Sequence, residues 1–208
     1  MRAPFRGNIL ELHSSQRCRE KPLGRPARFD ETRILDAALA VTAEDGPGAA
    51  TIAAIAGRLG APSGSLYHRF RSRDLLLASL WTRTVRRFQE GYVEALARDD
   101  AEAAALHTPR WCREHPDQAA VLLLHRRRDL VSRWPAELAG DLDTLNAPAA
   151  KALDAFTARR PGIDRERVVF ATVDVPYGAV RRHLLAGRPP PPLVDELVVT
   201  TCRAVLGS

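Results

Sequence analysis

Apolar residues along this chain recur at helical spacing and do not alternate as a strand would. Ile52, Ile55, Ala56 and Leu59 stand at i, i+3, i+4 and i+7, the stripe of one short amphipathic helix. Thr51 directly precedes that stripe, where a hydroxyl can accept an orphan backbone N–H. Gly60 directly follows it, at a position suited to a reversal with positive φ. A second short helix is predicted to begin near Pro62 and Ser63 and run to His68. Upstream, Asp30 can cap a helix that passes through Ile34, Leu35, Ala38 and Val41 and stops near Gly46. Its apolar stripe should brace the pair that follows. Two brief helices around a glycine turn make a helix-turn-helix, whose second member can lie in the DNA major groove.

The same period continues downstream. A long helix is predicted after Ser72, through Leu76, Leu80, Trp81, Val85, Phe88, Tyr92 and Leu96 to about Arg98. Asp99 and Asp100 mark a break and a new start. Further helices are expected over residues 101–114, kinked at Pro109, and over 118–125. Leu138, Leu142, Leu145, Ala149, Leu153 and Phe156 predict one helix over 135–159. Another should cover 164–185 with a kink at Pro176, and a last one 193–206. Pro161-Gly162 reads as a turn, and Gly187 with the proline run 189–192 as a stiff connector. The fold class is therefore all-α, without internal repeats.

Charge sharpens the picture at the amino end. Between Gly46 and Arg73 the basic residues are Arg58, Arg69, Arg71 and Arg73, with no Asp or Glu. Such a stretch can gain affinity for phosphates by releasing counterions. The exposed set predicted there, Ser63, Ser65, Tyr67, His68 and Arg73, is of the kind that contacts phosphates. The competing reading is a helical hairpin packed inside some other all-α protein. The whole chain carries +6, and residues 1–28 hold seven basic against two acidic residues, or +5. Residues 1–27 mix Pro, Gly, Arg and Ser without a period and read as a flexible arm. Arg25 and Arg28, next to the first helix, are assigned to DNA; the rest serves equally well as a solubilising tail.

The run GAPSGSLYHRFRSRDLL resembles the end of the DNA-binding domain of TetR-family transcriptional regulators. The matching positions are Gly60, Leu66, Tyr67, Phe70 and Arg73, and the upstream ILDAALAVTAEDGPGAATIAAIA agrees with that family's first helix and Thr-Ile start of the second. The specific match covers roughly residues 28–77. One position departs from it: Pro62 stands where the family places a capping Ser. Proline suits a first helical position, so the cap falls to Ala61 or the start is displaced by a residue.

The resemblance implies a flexible basic arm at 1–27, a three-helix helix-turn-helix DNA-binding domain at 28–72, and a helical ligand-binding and dimerisation bundle at 73–208. It implies a cytoplasmic homodimeric regulator, a repressor, that binds a palindromic double-stranded operator and is released by a small-molecule effector. Thr51, Tyr67, His68 and Arg73 would grip phosphates, while Ser63, Gly64 and Ser65 face bases. Val180, Leu184, Leu197 and Thr201 would form the shared bundle of the dimer. Trp111, His125, Trp134, Phe170, Asp174 and Tyr177 are the candidates for the effector pocket, since such pockets are apolar with a few placed polar groups. For Phe170, as for Phe156, plain core is the competing reading.

Other chemistry finds little support. Cys112 and His115 lie i, i+3 with His107 nearby, but no second pair completes a metal set. No phosphate-cradling glycine loop, nucleophile elbow or paired-carboxylate constellation is present, so no cofactor, metal or catalytic residue is assigned. Cys18, Cys112 and Cys202 are odd in number and far apart, which fits a reducing compartment. No apolar run reaches the roughly 18 residues that span a bilayer, and the amino end lacks the apolar segment of a secretory signal. A small helical enzyme and a helical protein-interaction module remain as rivals. Turnover screening tests the first, and DNA binding separates the second.

Overall fold

The computed structural model describes residues 30–124 and 133–207. Among these the chain forms helices and connecting turns and no strand. The arm, with Arg25 and Arg28, and His125 of the effector set lie outside the described residues.

Local signals set the first helices. In α1 (Glu31–Asp45) the Asp30 carboxylate accepts the Arg33 N–H at 2.8 Å, and the chain leaves the helix at Gly46. In α2 (Ile52–Leu59) the Thr51 hydroxyl accepts the Ala54 N–H at 3.1 Å. Gly60 ends α2 in the left-handed region, φ 64°, where an L side chain would be strained. Helix α3 (Ser63–Arg69) starts after Pro62, which occupies the cap position and supplies no side-chain acceptor. Of the two alternatives for this start, the displaced one is observed. Ser72 then caps α4 (Arg73–Ala97), accepting the Leu75 N–H at 3.0 Å.

At the far end of α4, Asp99 takes a positive φ of 65° and is held by Arg159 and Arg160. Asp100 caps α5 (Ala101–Glu114), which continues through Pro109. Helix α6 (Pro116–Ala119) begins two residues before its expected start and passes into a π-helical turn, Ala120–Leu124.

Of the two long helices expected over 135–159 and 164–185, one is broken, and the other runs through with a wide turn at its expected kink. The span 135–159 is a 3-10 turn (Ala136–Leu138), α7 (Ala139–Thr144), and α8 (Ala147–Ala158). Pro148 explains the division, because it fits the first turn of α8 but its ring would collide with a carbonyl four residues earlier in an unbroken helix. The span 164–185 is α9 (Arg165–Val169), a π-helical turn (Phe170–Asp174), and α10 (Val175–Leu185). Here Pro176 has no N–H to give the ladder, and the wide turn just before it absorbs the mismatch. The last helix, α11 (Leu193–Leu206), has its expected bounds.

Three apolar clusters organise these helices. The first joins α1, α2 and α3 through Ile34, Ile55, Leu66 and Phe70, and draws in Leu76 and Leu80 of α4 and Val121 from behind α6. Trp81 and Trp134 pack edge-to-face beside it, ring centres 5.9 Å apart. The second centres on Trp111, Cys112, Val180, Val194 and Val198, and the third on Tyr92, Leu96, Phe156 and Val168. The amino-terminal head is thus continuous with the body through α4 and Val121. No helix among the described residues is long and apolar enough to cross a membrane.

Candidate nucleic-acid interface

Helix α3 has seven residues and two anchors. Leu66 is fully buried and Phe70, just past its end, is 4% exposed. Their i, i+4 spacing gives α3 a single inward line, and burying each is worth about 1.5–3 kcal/mol. The rest of the helix turns outward: Ser63, Gly64, Tyr67, His68 and Arg69 are exposed, and Ser65 is half-buried. Thr51 is exposed as well, though its oxygen already caps α2. Nothing lies within 4 Å of where a Cβ on Gly64 would stand, so no packing inside the chain demands a glycine there.

The four arginines of the acid-free stretch are not equivalent. Arg58 makes a two-pronged ion pair with Glu44 of α1, and that hydrogen-bonded guanidinium holds the Glu44 carboxyl below its usual range. Arg73 is half-buried: its Nε donates to the Ala50 carbonyl at 2.9 Å, its Nη2 to the Pro47 carbonyl, and Asp74 lies 3.7 Å away. It staples the α1–α2 loop to the start of α4. Arg69 and Arg71 are exposed, without an ion pair among the described residues. They are the cations best placed beside Tyr67 and His68, and the sequence reading had not singled them out as contacts. Only the pairing of Arg58 and the burial of Arg73 distinguish them, and neither shows in the spacing.

Among the described residues the effector candidates fall in three separate places. Trp111 is 5% exposed and packs edge-on against Phe88, ring centres 5.0 Å apart. Trp134 sits against Trp81 beside the head's core and donates its indole N–H to the Leu138 carbonyl at 3.0 Å. Phe170, Asp174 and Tyr177 are exposed on the outer side of the π-helical turn and α10. The reason is the helical phase: Ala171, Thr172 and Val180 take the inward positions on that stretch.

The dimer set needs the same correction. Val180 is fully buried within its own chain and cannot line a surface, whereas Leu197 is 50% exposed and Leu184 and Thr201 are half-buried. The exposed apolar side chains of these elements are Phe170, Val173, Tyr177, Leu185, Leu193 and Leu197.

Cys112 is buried, and desolvation pushes its thiol up to about 12, which keeps it protonated. His115 is exposed and rests on the Trp111 ring. His107 is spent elsewhere, with Nε2 2.6 Å from the Phe88 carbonyl. Among the described residues no three His, Cys, Asp or Glu side chains cluster as a metal site would require.

The family model described as bacterial regulatory proteins, tetR family, matches residues 34–80, from within α1 to the first turns of α4. No curated protein matches the sequence. Solved structures do. A TetR family transcription regulator from Marinobacter aquaeolei VT8 is 16% identical, with a TM-score of 0.64 over 85% of this chain and 94% of that one. The transcriptional regulator FadR from Bacillus subtilis, solved in complex with stearoyl-CoA, is 18% identical, TM-score 0.63, over 85% and 98%. A TetR-family transcriptional regulator from Streptomyces coelicolor is 22% identical, TM-score 0.58, over 87% and 98%. Residues 34–80 thus match the TetR-family model over the helix-turn-helix head, and the chain as a whole shares its fold with solved regulators of that family.

Proposed function

We propose that two copies of this chain bind a roughly palindromic operator and that a small molecule held in the body releases them, which is the action of a repressor. The observation that carries the DNA half is the outward face of α3: hydroxyls, Tyr67, His68 and Arg69, in a stretch without a single acid. Tyr67, His68, Arg69 and Arg71 contact phosphates, while Ser63, Gly64 and Ser65 meet base edges. Thr51 and Arg73 stand behind them, and Arg73 acts chiefly by fixing the loop that leads into α2. Residues 28–72 form the reading head, 73–208 the sensing and pairing body, and 1–27 an arm, with Arg25 of the arm and Arg28 at the start of the head reaching the adjacent groove.

Pairing through α10 and α11 is supported by the apolar side chains they expose, a feature that monomers rarely keep as a patch. Leu197 belongs to that face together with Phe170, Val173 and Tyr177. Two heads so joined would enter successive major grooves about 34–36 Å apart. FadR's complex with stearoyl-CoA supports the ligand half, since a regulator of the same fold there is bound to a small molecule. Release follows if the ligand prefers a dimer whose heads are wrongly spaced. The protein would work in the cytoplasm, by binding rather than turnover.

A gel-shift titration on the DNA flanking its own gene, without added ligand and at two salt concentrations, tests this. Tight, sequence-selective binding that weakens steeply with salt is expected. Equal, weak binding to every duplex would remove the operator reading and leave an interaction module.

A further inference from the structure

Two recesses open side by side along one flank of α4. One, about 800 Å³, lies against α7 and α8 and is walled by Val93, Leu145, Ala147, Pro148 and Lys151. The other, about 410 Å³, lies between α4, the start of α1 and α7, and is walled by Leu35, Thr82, Arg83, Arg87 and Leu138. Arg86 and Glu90 line both, so the recesses form one groove. From Thr82 to Val93 it follows eleven residues of helix, roughly 16 Å at about 1.5 Å per residue.

The groove is polarised. Its α8 end is largely apolar, while its α1 end gathers Arg83, Arg86 and Arg87 with Glu31 and Asp141, and Glu90 lines the junction of the two recesses with Arg86. Arg83 is paired with Asp36 at 2.8 Å and Arg86 with Asp141 at 2.8 Å. Arg87 is exposed and has no ion pair among the described residues. Thr82 is 3% exposed, and its hydroxyl is buried without a hydrogen-bond partner among the described residues.

We infer that this groove binds an amphipathic anion, a carboxylate on an unbranched apolar chain, with the carboxylate at Arg86 and Arg87 and the chain over Val93, Leu145 and Pro148. The inference rests on the ligand-responsive reading above and gives that ligand a class and a seat. Guanidinium groups suit a carboxylate because their N–H donors match its two oxygens. Arg87 supplies one that is not already paired. Arg86 can exchange Asp141 for the ligand, because an exposed ion pair of this kind is weakly held. The exchange matters to the head. Arg86–Asp141 and the neighbouring Gln89–Asn146 hydrogen bond, 2.8 Å, tie α7 and the start of α8 to the helix that carries the DNA-binding domain. A ligand carboxylate on Arg86 unties the first of these.

Dodecanoate, whose extended length is comparable to the groove, is the probe. Titrated calorimetrically into the full chain without DNA, below its micelle concentration, it should bind one per chain. Arg87→Glu and Val93→Glu should each weaken binding about tenfold or more, the first at the head group and the second under the tail. Asp141→Asn should tighten it, because the competitor for Arg86 is gone. Dodecyltrimethylammonium, the same chain with the opposite charge, should bind about tenfold more weakly than dodecanoate. Absence of dodecanoate binding to the parent overturns the proposal, and so does equal binding by the parent and both Glu variants, or by the cationic chain. Since no DNA is present, this result stands apart from the operator reading, which the ligand-free gel shift decides.

Discussion

Helices α3 and α11 are both short amphipathic helices pinned by a few apolar residues, yet they present opposite chemistry to solvent. Helix α3 is pinned by Leu66, with Phe70 just past its end, and shows hydroxyls, an imidazole and guanidinium groups. Helix α11 is pinned by Val194, Val198 and Cys202 and shows Leu193 and Leu197, beside the π-helical turn and α10, which show Phe170, Val173 and Tyr177. A polar cationic face is at home in water and gains from a polyanion. An apolar face loses in water and gains from a second apolar face. The residue types on the outer side, and not the helical period, carry the information about partners.

The widest separation between the two sides of one helix pair is expected from Val180→Asp and Leu197→Asp. Val180 is fully buried, so a carboxylate there has no compensating partner and should unfold the body, seen as loss of the cooperative thermal transition. Leu197 is half exposed, so Leu197→Asp should leave each chain folded and halve the mass measured by sedimentation. A dimer that survived Leu197→Asp would move the pairing surface away from α11.

That contrast also shows where the sequence was readable. The head was legible nearly to the residue because its instructions are local: Asp30 and Thr51 cap, Gly60 reverses, and a new helix starts after Ser72. The body was legible as helices but not as an arrangement. Pro148 divides a stretch whose apolar period runs straight through it, whereas the kink expected at Pro176 is a wide turn within a continuous helix. Val180 and Leu197 both sit in apolar stripes, and only the neighbour each meets separates core from surface. The described effector candidates lie apart for the same reason: aromatic residues far apart in sequence carry no signal of convergence, and Trp111 and Trp134 went to different cores.

Within the head, Arg71 and Arg73 make a finer comparison. Both are basic and two positions apart, but Arg73 donates to the Ala50 and Pro47 carbonyls while Arg71 is exposed. Arg73→Ala should lower the stability of the head by about 1–3 kcal/mol by leaving half-buried carbonyls unpaired. It should weaken DNA binding as a consequence. Arg71→Ala should leave the denaturant midpoint unchanged and reduce the salt slope of binding by about 1. Matching stability losses in both variants would mean that Arg73 is no staple.

In the body the counterpart is His107, whose ring lies between α4 and α5, against Phe88 at 4.9 Å. Its Cε1 sits 2.6 Å from where a Cβ on Gly91 would be, so the glycine admits the ring. Burial lowers the His107 pKa, opposed by the Phe88 carbonyl and Glu114 and aided by His115. The unfolded chain therefore takes up the proton first, and stability falls as pH drops through the ordinary histidine value of about 6.5. Chemical denaturation at about pH 7.5 and pH 5.5 should show this loss in the parent and a smaller one in His107→Gln. A loss of equal size in both would assign the acid sensitivity to other groups.

The smallest expected effect is the most discriminating, because it has opposite signs in two measurements. Gly64 sits inside α3 with nothing within 4 Å of a Cβ, and its φ is not in the left-handed region. Alanine there should stabilise the free protein by about 0.5–1 kcal/mol, the usual gain of Ala over Gly in a helix. If α3 lies in the major groove with this turn against base edges, the added methyl occupies space the DNA needs, and Gly64→Ala should bind its operator more weakly than the parent. Stability up with affinity down leaves close approach of DNA as the reason for the glycine. Stability up with affinity unchanged would rotate α3 in the groove and transfer base reading from Ser63 and Gly64 to the His68–Arg69 end.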